Sequence, residues 1–132
     1  MNPMKRSEPC PDLERFERGR LDPARFTHRE HVRMAYEMLR RYDFPESALR
    51  YANGLRRLCA RIGRPEKFHQ TVTLAFLCLI AERLAAGVPQ DFAAFAAANA
   101  DLFERGALER WYSPQRLASE VARGTFVLPD RR

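Results

Sequence analysis

"FTHREHVRMAYEMLRRY", residues 26–42, decides the fold. Thr27 is a natural helix N-cap, Glu30 three residues on completes a capping-box pattern, and Phe26 is placed to staple against His31 or a neighbour. Behind that opening Val32, Ala35, Leu39 and Tyr42 recur at helical spacing, the period of an element with one buried side. The stretch therefore reads as a long amphipathic helix from Thr27 to about Tyr42. His28 and His31 fall on its inward side, while Arg29, Arg33, Tyr36 and Arg40 drift toward the other.

Working outward, the same grammar repeats. "YDFPES" breaks the first long helix, and Pro45 opens a second that runs to about Ile62, with Gly63 as its C-terminal stop. Ala48, Leu49, Ala52, Leu55, Leu58, Cys59 and Ile62 form its expected buried stripe. Pro65 opens a third long helix reaching Ala86 before Gly87. Between Val72 and Ala81 that element is apolar nearly all round, which predicts the central member of a bundle. A short helix over about Asp12 to Arg18 precedes the three. "FAAFAAAN" (92–99), "DLFERGALERWY" (101–112) and a piece capped by Ser113, opened by Pro114 and ended by Gly124 follow them. Apart from "TFVL" at 125–128, no strand-like alternation competes. The expectation is an all-α, single-domain helical bundle of three long helices plus several short C-terminal helices. Residues 1–11, with three prolines, read as a mobile N-terminal arm and 12–132 as the helical domain.

At 132 residues the chain closes one core, and 45% hydrophobic with 30% charged residues is the balance of a globular domain. Its longest apolar run, "VTLAFLCLIA" at 72–81, is half what a membrane span needs, which predicts no membrane partner. The first residues carry no apolar stretch of signal-peptide type. Cys10, Cys59 and Cys78 are odd in number and unpaired in spacing, so neither a disulfide framework nor a thiolate metal site is indicated, and a cytoplasmic setting is expected. The net charge of +6 predicts attraction to anions. Most of the arginine is interleaved with acid, as in "ERFERGR", the pattern of a solvated surface.

The chemistry-bearing signal is the placement of the only three histidines, His28, His31 and His69, each at a helix opening. Short connections make consecutive helices antiparallel, so the first and third long helices run parallel and their starts share one end of the bundle. The three imidazoles are then expected to line one pocket. Helix starts carry partial positive charge, which disfavours imidazolium and favours bound anions. A neutral imidazole is a metal ligand or a general base. Three histidines with Glu66 would hold a divalent metal, zinc or iron, with a position left open for water. Glu66-x-x-His69 also matches half of a di-iron pattern, although further inward glutamates are missing. Without a metal, one histidine would act as base on a small anionic molecule, with Lys67, Thr71 or Thr73 as polar partners. The opposing reading is structural: each histidine donates to a backbone carbonyl near a helix end.

The segments "FTHREHVRMAYEMLRRY", "GRPEKFHQTVTLAF" and "RWYSPQRLASEVARGTFVLPD" resemble a family of small bacterial proteins of unknown function. Its pattern runs Phe-Ser/Thr-His-x-x-His, Lys-Phe/Tyr-His-x-Thr, Tyr-Ser-Pro-x-x-Leu and Phe-x-x-Pro-Asp. The match spans roughly residues 16 to 131 and falls on His28, His31, Lys67, His69, Thr71, Tyr112, Ser113, Pro114, Phe126, Pro129 and Asp130. The resemblance implies a shared compact helical fold and licenses no activity.

Two further features weigh on function. Trp111 and Tyr112 either fill the core or wall the histidine pocket, and Asp130 either fixes a histidine tautomer or pairs with an arginine. Arg50, Arg57, Arg61 and Arg64 stripe one face of the second long helix, a surface that would suit nucleic acid or an acidic partner but lacks interleaved aromatics. The leading expectation is a histidine-lined pocket, with or without metal, that binds or acts on a small anion. His28, His31 and His69 are its ligands or acid/base groups, with Glu66, Lys67, Thr71 and Tyr112 in support. The alternative is a non-catalytic module that binds nucleic acid or an acidic partner through the arginine face.

Overall fold

Side chains set most of the helix starts. Thr27, Asp43, His69, Asp91, Ser113 and Ser119 each accept a hydrogen bond from a backbone N–H in the first turn that follows, satisfying donors a helix leaves unpaired. The computed structural model describes residues 10–87, 91–104 and 106–131; most of the expected N-terminal arm, residues 1–9, lies outside them. Within these residues the chain is all-α. Helices α1 (Pro11–Glu17), α2 (His28–Arg41), α3 (Phe44–Arg61) and α4 (Gln70–Ala86) are followed by α5 (Phe92–Ala98), α6 (Pro114–Ala118) and α7 (Glu120–Gly124). Single turns of 3-10 helix occupy Pro23–Arg25, Pro65–Lys67, Ala100–Phe103 and Ala107–Arg110.

Helix α2 packs against α1, α3 and α4 at once. Val32, Met34, Ala35, Tyr36 and Met38 are all fully buried, so α2 shares the centre of the bundle with α4. Tyr36, expected on the outer side, is covered because α5 lays Phe92 and Phe95 against its ring at centroid distances of 5.4 and 5.1 Å. On α3 the buried side is Tyr51, Ala52, Leu55 and Leu58, whereas Leu49 at the edge of the expected stripe is 58% exposed. Helix α1 crosses α3 at Gly54, where the Phe16 ring sits so close that a Cβ would lie 2.4 Å from Cε2. Only glycine permits that approach. Gly63 ends α3 as expected, with φ of +75° and a hydrogen bond from Arg64 N–H back to the Cys59 carbonyl.

The arginine face of α3 is not left bare. Arg50 pairs with Glu17 and Glu46, Arg57 donates to the Glu17 carbonyl, and Arg61 donates to the carbonyls of Gly19 and Leu21. These guanidiniums fasten α1 and the chain after it onto α3, satisfying carbonyls that a short helix leaves open.

Two corrections to the expected boundaries bear on function. The third long helix does not begin at Pro65. Pro65–Lys67 makes only a 3-10 turn, Phe68 is extended (φ −66°, ψ 130°), and α4 starts at Gln70. The last helix is likewise broken at Ser119, whose extended backbone ends α6 and whose hydroxyl caps α7. The tail beyond α7 is pinned rather than free. Thr71 Oγ1 donates to the Thr125 carbonyl and accepts from Val127 N–H, Tyr112 donates to the Val127 carbonyl, and Asp130 accepts from both the N–H and the hydroxyl of Ser113.

Candidate functional site

His28 is the first residue of α2, His31 lies one turn on, and His69 is the residue that caps α4. With α2 and α4 packed side by side, all three histidines line one cavity of about 170 Å³. Tyr51, Leu55 and Cys59 of α3, Phe68 from the extended turn, and Val72, Thr73 and Phe76 of α4 form the remaining wall, with Lys67 at the rim. Lys67 is exposed and, among the described residues, is the only permanently charged one lining the cavity.

The three imidazoles differ in what they can offer. His69 accepts from Val72 N–H through Nδ1 at 3.1 Å, so its proton sits on Nε2, which donates to the Leu117 carbonyl at 2.7 Å. Both nitrogens are spent. His28 donates through Nε2 to the Leu102 carbonyl at 2.9 Å, which leaves Nδ1 as its one open lone pair. For these two, the structural reading of a histidine bonded to a carbonyl near a helix end describes the ring fully or in part.

His31 is the exception. Its imidazole makes no hydrogen bond among the described residues; it is held by ring contacts, 4.2 Å from Phe26 and 6.4 Å from His28 between centroids. The Phe26 contact is the expected staple, and the Tyr51 hydroxyl fixes the local backbone by donating to the His31 carbonyl. Burial, with a smaller repulsion from the His28 ring, pushes the His31 pKa down to about 4, so the ring is neutral at physiological pH. Thr73 matches it on the opposite helix. That residue is 7% exposed, lines the same cavity, and its hydroxyl has no hydrogen-bond partner among the described residues. Buried polar groups are usually satisfied; here an unsatisfied buried hydroxyl and an unsatisfied half-buried imidazole share a void.

The remaining expected residues are elsewhere. Glu66 is exposed and its carboxylate is drawn to Arg64 at 2.6 Å, because the 3-10 turn removes the helical register that would have stacked it under His69. Thr71 and Tyr112 face the C-terminal tail and hold it by the hydrogen bonds given above. Trp111 and Tyr112 wall a separate cleft of about 220 Å³ with Cys78, Glu82 and Phe126. Among the described residues Asp130 bonds Ser113 rather than a histidine or an arginine. The sequence pattern misses Tyr51 and Phe68 and places Cys59 only in the buried stripe of the second long helix. Tyr51 stands three residues after Ala48 and four before Leu55, so the period of that stripe could have found it, whereas Phe68 enters the wall only because the turn before α4 is extended.

The expected metal set does not assemble. A metal takes a lone pair from each ligand; His69 has none left and Glu66 is turned away. Among the described residues no group of three or more His, Cys, Asp or Glu side chains is arranged to hold a metal ion. On the far side of His28, Val72 and Phe76 a more open groove of about 560 Å³ carries Glu104 and Glu109 on its rim. No helix among the described residues is long and apolar enough to cross a membrane. No family model, no curated protein and no solved structure matches the chain.

Proposed function

We propose that this protein binds a small anionic organic molecule in the cavity between the starts of α2 and α4, without a metal, and brings it against His31. The observation that carries the reading is the unpartnered His31 imidazole facing a void whose one fixed charge is Lys67. An imidazole left without partners loses hydration on folding, a cost a ligand would recover. The inner cavity suits an anion better than the neighbouring groove, where Glu104 and Glu109 repel one.

Chemistry at His31 is limited by its own basicity. A base whose conjugate acid titrates near 4 takes protons only from strongly acidic groups. A bound anion beside it stabilises the imidazolium and raises that value, so binding is coupled to proton uptake. The other titratable groups facing the cavity are His28, His69, Lys67, Cys59 and Tyr51. Recognition of an anion, with a proton gained at His31 as it binds, is the activity this arrangement favours over proton abstraction from carbon.

The test follows the histidine ring resonances by NMR while acetate and inorganic phosphate are titrated into the wild type and Lys67→Ala. A saturable shift of the His31 signals that strengthens as pH falls from about 8 to 6, and weakens several-fold without the lysine, supports the reading. His31 signals that ignore both anions at every pH would sink it.

A further inference from the structure

The cavity holds more than a charge. At about 170 Å³ it has room for a ligand the size of five or six waters, which limits the occupant to a short-chain molecule. Its groups with unused hydrogen-bonding capacity include the Lys67 ammonium at the exposed rim and, on the wall, the half-buried His31, the buried Thr73 hydroxyl and His28 Nδ1. Much of the remaining lining is apolar or aromatic, with Leu55, Phe68, Val72 and Phe76. A simple carboxylate held at the rim acts on His31 through its charge alone and leaves His31 and Thr73 without a hydrogen bond. A multiply charged phosphate would have to carry charge into an apolar wall that has no second cation.

We infer that the ligand class is a short-chain carboxylate bearing a second oxygen function, a hydroxyl or oxo group, with the carboxylate at Lys67 and the second oxygen between His31 and Thr73. The inference rests on the anion-binding reading above and names its substrate class. The hydrogen-bond inventory fits. A neutral imidazole offers one donor and one acceptor, and a threonine hydroxyl offers either. A ligand hydroxyl can therefore donate to one and accept from the other, and a carbonyl oxygen can accept from both. Because Thr73 is buried, His31 is half-buried and both are unpaired among the described residues, a ligand lacking that oxygen leaves them unpaired and binds more weakly.

The experiment compares propionate with lactate and pyruvate, and acetate with glycolate, by calorimetry and by the His31 ring resonances. Wild-type protein, Thr73→Val, Thr73→Ser and Lys67→Ala are each first shown to melt cooperatively. The expected result is that lactate or pyruvate binds at least about tenfold more tightly than propionate, the yield of the hydrogen bonds added at His31 and Thr73. Thr73→Val shrinks that preference, since the second oxygen keeps only its His31 partner, Thr73→Ser keeps it in full, and Lys67→Ala weakens all the acids alike. Equal affinity for propionate and lactate overturns the inference while leaving the anion site standing. So does a preference that Thr73→Val leaves at its full size. If no acid moves the His31 signals, the inference and the reading beneath it fall together.

Discussion

The His31→Gln substitution should remove most of the mild-acid sensitivity of folding that a partly buried imidazole imposes. In the folded chain burial holds the His31 pKa at about 4 against an ordinary value of 6.5. The unfolded chain therefore binds the proton more readily, and stability falls as pH drops below 6.5, with the loss complete below about 4. A gap of that size is worth about 3 kcal/mol in total, and about 2.5 kcal/mol of it is lost between pH 7 and pH 4.5. Glutamine is of similar size and does not titrate. Urea unfolding of both proteins at the two pH values, at one ionic strength, gives a double difference in which whatever else glutamine does to the fold cancels. The carboxyls of Asp12 and Asp101, held low chiefly by hydrogen bonds from Arg33 and Arg83, contribute equally to both proteins and also cancel. A double difference of about 2 kcal/mol or more is expected. A value under about 0.5 kcal/mol, or an NMR titration midpoint for His31 near 6.5, refutes the burial argument and with it the neutral, unpartnered ring.

Gly54→Ala should destabilise the fold by about 1–3 kcal/mol in thermal melts, since the new methyl meets the Phe16 ring and α1 must lift from α3. Thr71→Val should cost about 1–3 kcal/mol and speed amide exchange of Val127, because it strips that N–H of its acceptor and the Thr125 carbonyl of its donor. His69→Ala should cost about 1–2 kcal/mol through loss of the α4 cap and the Leu117 contact. His69→Asn, which keeps a capping side chain, should recover part of that, whereas a metal ligand would give no such rescue.

The helices were legible because their causes are local. The Thr27 cap, the α2 period and the Gly63 stop are each written within a few residues, and each appears in the structure. One part of the opening pattern fails for an equally physical reason: Glu30, free to reach back to Thr27, is instead drawn to the Arg33 guanidinium at 2.7 Å. The α4 start was misplaced because Pro65 is an equally good first residue for a 3-10 turn. A histidine acting as an N-cap is not a pattern that composition announces. Tyr36 was placed outside because helical period alone does not say how many neighbours a helix will have.

The site divides along the same line. From the sequence alone it follows that three histidines stand at helix openings, that a compact all-α core forms, and that consecutive helices return on one another, since those depend on spacing and short-range sterics. Which ring nitrogens are already spent, that Glu66 turns to Arg64, that Thr71 and Tyr112 serve the tail, and that His31 and Thr73 are left facing a common void were decided only when distant carbonyls such as Leu102 and Leu117 came into place. Hydrogen-bond partners separated by tens of residues are a property of packing, and packing is where this pocket acquires its chemistry.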